Sequence, residues 1–473
     1  MSLPNLPHEI LLLIIAELRY ANKFGAIAKL CQTCKTVCAL VQPELFRQGP
    51  QWLNWSDGTT VPPYKVEMVT LMRFIEAVVE RPELGTFVRK LDMDILFFPR
   101  FDSLQNLPFG PRKVSMETLM RAYNHFPADW KQRHLTGNAG IHPLPLFMLL
   151  ISLTPNLQEL GLSHIETGLG GLELLWERDS QGIRRYDYLP NLKKLVIVLE
   201  TMSHESLRNL IHLMHLPTLN EFSICGADEH DPGCPPFNLL QPESLSITML
   251  DLGASTFTPP LLRQIVRACK RLKVFCISEA VIDRKCRHAS RVKRSNILSI
   301  LEAHKYSLLK LELNFNDCAP NPGGPDWSHY GSFTSFISLK VLQVEQSGLR
   351  DIPGLPNSLE SLRIIECDRP VFMFLASLIA KSKSDRLSLK YVRISEKWEW
   401  RCKDQNWILG IEPTCELDKT AEGKAAMMEA CRRLDNLIKK ADFSVEIVDC
   451  AAWDRYVAEQ KTTNEGVVVD NTA

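Results

Sequence analysis

The stretch Leu308-Leu309-Lys310-Leu311-Glu312-Leu313-Asn314-Phe315-Asn316 decides how this chain is read. In a strand, successive side chains alternate between faces, so Leu311 and Leu313 share one face while Lys310, Glu312 and Asn314 take the other. Leu308, three positions earlier, supplies a third apolar anchor ahead of the strand, and Asn316 stands where a side chain would close the following turn. The same L-x-x-L-x-L spacing returns at Leu157/Leu160/Leu162, Leu192/Leu195/Ile197, Leu219/Phe222/Ile224, Ile247/Leu250/Leu252 and Leu272/Phe275/Ile277. Beyond the opening stretch it continues at Leu339/Leu342/Val344, Leu359/Leu362/Ile364 (with Cys367 in the turn-closing place) and Leu389/Val392/Ile394. Central residues of successive hits lie 20 to 36 positions apart, and a degenerate hit at Val88/Leu91/Met93 extends the series toward the N-terminus.

Between the hits the period turns helical over Pro143 to Leu153, Ser203 to His215, Thr258 to Cys269, Arg291 to His304 and Pro370 to Lys381. Thr258-Pro259 and Ser203-His204-Glu205 read as helix starts, with a capping hydroxyl ahead of proline or of an acidic first turn. Each strand–helix unit has an apolar face that it cannot bury alone, so neighbours must stack. The expected fold class is α/β, with parallel strands alternating with helices in a curved solenoid. A helix from Ala421 to Lys440 and a strand from Phe443 to Val448 would cap the array.

The first 46 residues differ in kind. Leu6-Pro7-His8-Glu9-Ile10 opens a helix that is apolar on almost every side through Ala16 and Leu18. Pro7 suits the first helical position, where its missing N–H costs nothing, and Glu9 sits in the first turn, where the helix dipole favours a negative charge. The pattern breaks at Arg19 to Lys23, resumes from Phe24 to Leu30, and gives a third helix from about Thr33 to Val41, which Gln42-Pro43 should end. So small a unit is near the lower limit for covering its own core. Its surplus apolar face calls for a partner, either the rest of the chain, with Trp52 and Trp55 at hand, or another protein.

This order of residues resembles the F-box, a small helical module, at Leu6, Pro7, Glu9, Ile10, Ile14 and Leu18, then Leu30, Cys34, Lys35, Leu40, Pro43 and Phe46. Val37-Cys38 stands where that family often has a large aromatic residue. The resemblance implies docking to the Skp adaptor, and through it a cullin, with Leu6, Pro7, Ile10, Ile14 and Cys34 as the adaptor-binding positions. The spacing after it resembles leucine-rich repeats. Arg81-Pro82-Glu83-Leu84, Val88-Arg89-Lys90-Leu91 and Leu153-Thr154-Pro155-Asn156-Leu157-Gln158-Glu159-Leu160 look like recurring joints of fungal F-box proteins with leucine-rich-repeat-like C-terminal regions. The expected organisation is an F-box module over 1–50, then a linker and connecting helix over 51–86, with Val61-Pro62-Pro63-Tyr64 as the linker and Val66 to Glu80 as the helix. A leucine-rich-repeat-like solenoid with its cap follows over 87–450, and 451–473 is a C-terminal segment ending in a disordered tail from Thr462. The alternative for the N-terminal stretch is a plain helical cap on the next domain.

Composition bounds the function classes. With 45% hydrophobic and 23% charged residues and a formal net charge of zero, the chain reads as folded and soluble, with no electrostatic footprint for nucleic acid or an anionic membrane. Pro370 to Ala380 is too short to span a bilayer, and the N-terminal helix lacks the basic flank and cleavage site of a secretory signal. Fourteen cysteines without such a signal point to a reducing compartment, cytoplasmic and/or nuclear. Cys31, Cys34 and Cys38 have the spacing of one helical face and, with no second ligand pair at zinc-finger distance, read as core thiols.

No nucleotide loop, nucleophile elbow or H-E-x-x-H motif occurs. Asp92-Met93-Asp94 lies on the expected first strand, His212 and His215 share a helical face without a third ligand, and Gly168-Leu169-Gly170-Gly171 is a turn signal. No cofactor or metal is expected. The basic run from Arg284 to Arg294 reads as a solvated loop, with an anionic-ligand patch or a nuclear-import signal as alternatives. Trp398, Trp400 and Trp407 read as packing under a long insertion, with a recognition surface as the alternative. The expected function is that of a non-enzymatic substrate receptor in a Skp–cullin–F-box ubiquitin ligase, binding an unknown protein substrate through the repeats. A scaffold not coupled to ubiquitin, and a hydrolase or transferase built from distant residues, are the alternatives.

Overall fold

The computed structural model describes residues 6–21, 23–47, 73–94, 124, 126–128, 131–132, 143–163, 173–175, 188–199, 204–226, 240–253, 255, 257–278, 292–315, 329–349, 354–367, 371–385, 387–396, 421–448, 453–454 and 456–458. Trp52, Trp55, the Val61–Tyr64 linker, the Gly168–Gly171 turn, Arg284 to Arg291, Asn316, Trp398, Trp400, Trp407 and the tail from Thr462 lie outside these residues. The chain divides into two compact units, one comprising Met1–Leu240 with Ser244–Ile247, the other Gln241–Glu243 with Thr248–Ala473.

The first unit opens with helices α1 (His8–Tyr20), α2 (Phe24–Cys31) and α3 (Lys35–Arg47). Residues 73–80 are helical, and a short helix Pro82–Gly85 leads into strand β1 (Lys90–Asp94). Strands β2 (Glu159–Ser163), β3 (Lys194–Val198) and β4 (Glu221–Cys225) follow in sequence order, each parallel to its neighbour, with Leu91, Leu160, Leu195 and Phe222 in register. Helices Pro143–Leu153 and His204–Met214 lie between β1 and β2 and between β3 and β4.

The second unit carries β5 (Met249–Gly253), β6 (Val274–Ser278), β7 (Lys310–Asn314), β8 (Val341–Glu345), β9 (Ser361–Cys367), β10 (Tyr391–Glu396) and β11 (Ser444–Val448). These too pair in parallel and in sequence order, with Leu250, Phe275, Leu311, Leu342, Leu362, Val392 and Val445 in register. Helices Pro259–Ala268, Arg294–Leu301, Phe372–Asp385 and Ala421–Ile438 connect them. Every L-x-x-L-x-L hit falls on a strand, its central residue in second place. All nine leading anchors, from Leu157 to Leu389, are buried just ahead of their strands.

A repeated backbone bond sets the stacking. The carbonyl before one strand accepts two N–H groups from the start of the next: Arg89 O from Gln158 and Glu159, Lys193 O from Asn220 and Glu221, Lys273 O from Leu309 and Lys310, Glu360 O from Lys390 and Tyr391. Side chains reinforce the joints one residue ahead of the anchor. Thr218 Oγ1 donates to Leu192 O, Ser307 Oγ to Leu272 O and Ser358 Oγ to Leu339 O, each at 2.8 Å. Asn156 Nδ2 reaches Thr86 O at the same distance. These bonds satisfy carbonyls that the stacking removes from water.

Three local expectations are corrected. Pro43 lies inside α3 instead of ending it, because the turn beyond it is held from outside: Glu44 pairs with Arg19 of α1 at 2.7 Å and Leu45 packs on the module core. Thr258 occupies the N-cap of Pro259–Ala268, but its hydroxyl makes no capping bond; its carbonyl accepts Leu262 N–H at 3.0 Å. Pro7 is the N-cap of α1 and not its first helical residue, with extended ψ of 144° and its carbonyl accepting from Ile10 and Leu11.

The second unit also buries charge. Arg294 Nε donates to Glu345 Oε1 at 2.6 Å and Nη2 to Phe315 O at 3.1 Å, while Tyr330 OH donates to Glu345 Oε2 at 2.7 Å. Burial pushes the Glu345 carboxyl up, against the opposing pull of Arg294 and Tyr330. Removing one member of a buried pair strands the other charge, whereas removing both does not. Arg294→Met should therefore lose roughly 3–5 kcal/mol, and the double variant Arg294→Met/Glu345→Leu should recover most of it, as measured by urea unfolding; a single variant as stable as the parent would show the pair to be dispensable. In the first unit, Gly226 has φ of +78° and a Cβ there would come 2.1 Å from Leu199 O. Gly226→Ala is expected to cost more than about 1 kcal/mol in the same assay.

Candidate protein-docking site

The three N-terminal helices share a small core of Leu11, Ile15, Ile27, Val37 and Val41, with Leu6, Leu18, Leu30, Cys31, Cys34, Leu40 and Leu45 packed against it. α1 stops where Ala21 N–H returns to Glu17 O and Lys23 N–H to Leu18 O. α2 stops at Cys31, and Thr33 Oγ1 donates to Leu30 O at 2.8 Å to hold the turn into α3. That turn corrects the single-face expectation for the cysteines: Cys31 ends α2, Cys34 precedes α3 and Cys38 lies within it. The Cys34 thiol accepts Val37 N–H at 3.5 Å, and burial, then the neighbouring Cys38, pushes the Cys31 thiol up, away from the reactive thiolate.

The module is fastened to the first strand through α3. Arg89 N–H donates to Arg47 O at 2.8 Å, Phe46 stacks on Phe74 with ring centroids 5.8 Å apart, and Arg81 Nη2 reaches Gln42 Oε1 at 3.5 Å. Among the described residues α1 makes none of these attachments.

At roughly 100° per residue, Leu11, Ile15 and Leu18 fall on one side of α1, the side turned to the core. The opposite side presents Ile10, Leu12, Leu13, Ala16 and Tyr20, with the acids Glu9 and Glu17 set among them. Ile10 is 42%, Leu12 47%, Leu13 62% and Tyr20 89% exposed. A cluster of large exposed apolar side chains on one helix marks an interaction surface, whereas scattered single residues do not, and the two acids among them would have to meet basic or polar groups of the partner. Covering a Leu or Ile fully is worth about 1.5–3 kcal/mol, so a partner gains appreciably from this face.

Of the residues expected to touch an adaptor, Pro7 and Ile10 are exposed, Ile14 is half-buried at the edge of the face, and Leu6 and Cys34 are half-buried against the module core. Leu12, Leu13 and Tyr20 were not among the expected contacts. A helical projection would have found them once Leu11, Ile15 and Leu18 were assigned inward, since the remainder of the helix is still apolar.

The other candidate groups have ordinary partners. Asp92 lies on β1 and pairs with Lys90 at 3.0 Å, and His215 Nδ1 lies 2.8 Å from Ile211 O within its own helix. Among the described residues no cluster of three His, Cys, Asp or Glu side chains could hold a metal, and no helix is long and apolar enough to cross a membrane.

The two sides of α1 should respond oppositely to substitution. Leu13→Gln is expected to change stability by no more than about 0.5 kcal/mol, while Ile15→Ala, two residues on, loses roughly 2–5 kcal/mol. Equal losses in denaturant titration would place Leu13 in a core. Set against known proteins, the sequence matches no protein-family model, and no curated protein matches it.

Proposed function

We propose that the chain is a non-catalytic substrate-recognition subunit of a Skp–cullin–F-box ubiquitin ligase. Its N-terminal helices dock to the Skp adaptor, and its leucine-rich-repeat-like solenoid binds a protein substrate. The observation that carries this is the exposed apolar face of α1, set on a module whose residues resemble the F-box and whose attachment to the following strand runs through a different helix. Pro7, Ile10 and Ile14 stand at or beside that face and Leu12 and Leu13 extend it, while Leu6 and Cys34 pack against the module core. The receptor works by proximity: it raises the effective concentration of substrate near a transfer reaction carried out by other subunits. It acts without a cofactor in the cytoplasm, the nucleus or both.

Affinity purification of the intact chain, read by mass spectrometry, should recover the Skp adaptor and a cullin. An Ile10→Asp/Leu13→Asp variant should lose at least about tenfold of both, the equivalent of 1.4 kcal/mol or more. Recovery of neither by the intact chain would refute the receptor function. Adaptor recovered with no protein accumulating in cells that carry the variant would make the chain a scaffold uncoupled from ubiquitin transfer.

A further inference from the structure

The open face of the second unit carries two arginines directly opposite each other. Arg363 on β9 and Arg393 on β10 are register partners, in the third place of their strands, on the face away from buried Leu362, Ile364, Val392 and Ile394. Adjacent strands lie about 4.8 Å apart, and like charges placed opposite each other are destabilising. Folding alone therefore gives no reason for the pair.

Among the described residues their surroundings neutralise them only in part. The register partner of Arg393 on β11 is Glu446, whose carboxylate lies 3.6 Å from Arg393 Nε and accepts a hydrogen bond from Tyr391 OH. The register partner of Arg363 on β8 is the uncharged Gln343. Glu360, just ahead of β9, is engaged by Lys340 at 3.0 Å and Lys390 at 2.6 Å. Arg363 Nε is shut off from solvent and finds no hydrogen-bond partner among the described residues. A buried donor left unpaired costs stability and calls for a missing acceptor.

We propose that Arg363 and Arg393 form a binding site for a carboxylate side chain of an extended acidic peptide. Arg363 and Arg393 less the one carboxylate of Glu446 leave a single positive charge, and Lys340 and Lys390 less Glu360 leave a second just ahead of the strands, which matches monoanions spaced along an extended chain; a phosphoryl dianion at the arginine pair would have to displace Glu446. Arg363 and Arg393 offer their terminal nitrogens, the unanswered Nε leaving the Arg363 guanidinium without a partner inside the fold, and a peptide lying across β9 and β10 would present successive side chains at strand spacing. The site is independent of the α1 face. Combined with the receptor function proposed above, it makes the substrate an acidic segment, and its test uses no adaptor, so the two can fail separately.

The probe is fluorescein-labelled hexaglutamate, titrated by anisotropy against the full chain at low salt, with hexaglutamine and a triphosphoserine peptide of equal charge alongside. Hexaglutamate should bind, hexaglutamine should not, and added salt should weaken binding. Arg363→Met and Arg393→Gln should each weaken it roughly tenfold, while Glu446→Gln tightens it by freeing Arg393. Arg363→Met should melt no lower than the parent, because it removes an unpaired buried donor and keeps the aliphatic stem. Unchanged hexaglutamate binding in both arginine variants would overturn the site, and a lowered melting temperature in Arg363→Met would make that residue structural. Tighter binding of the phosphoserine peptide would overturn the choice of carboxylate.

Discussion

A five-residue parallel strand has no stability of its own, and in each unit its backbone is completed only by the rung beside it. Within each unit the carbonyl ahead of a strand accepts two N–H groups from its successor, or at β10–β11 the single N–H of Ser444, and this puts each rung in the same register as the one before it. With register held, the second and fourth positions of the strands meet their counterparts in the interior and most odd positions remain on the open face, buried Glu345 in fifth place of β8 being an exception. The apolar triplets, the connecting helices and the charged face all depend on that alignment. A slip of one residue would exchange the two faces.

The N-terminal module is joined to the first strand by the same device, since Arg47 at the end of α3 supplies the carbonyl that Arg89 uses. The attachment consumes α3, which explains how Pro43 is tolerated there: packing and the Glu44 ion pairs hold the turn that the missing N–H weakens. α1 is left with one side in a core and the other in water. A helix built this way is more apolar than folding requires, which is a usual physical mark of a surface shaped for a partner.

Charge is handled differently in two places of the second unit. The Arg294–Glu345 pair is sealed in and saturated with hydrogen bonds from Tyr330 and to Phe315, as buried ions must be. Arg363 is only partly covered and its Nε is unanswered. The first arrangement is complete within the fold; the second is completed only from outside it.

The local periodicities determined the strands and most of the helices, because alternation at two and recurrence at three to four are written into adjacent residues and need no distant contact. Leu311 and Leu313 declare their strand unaided, and Pro143–Leu153 emerged with the bounds its sequence predicts. Tertiary structure alone decided what depends on residues far apart in the chain. Arg294 and Glu345 are 51 positions apart, and neither carries a signal of the other. Arg363 and Arg393 face each other only because β9 and β10 pair in register. The same holds for α1: its sequence announced an excess of apolar surface, but which residues turned inward was settled by where α2 and α3 packed, leaving Leu12 and Leu13 outside and Leu6 and Cys34 partly within.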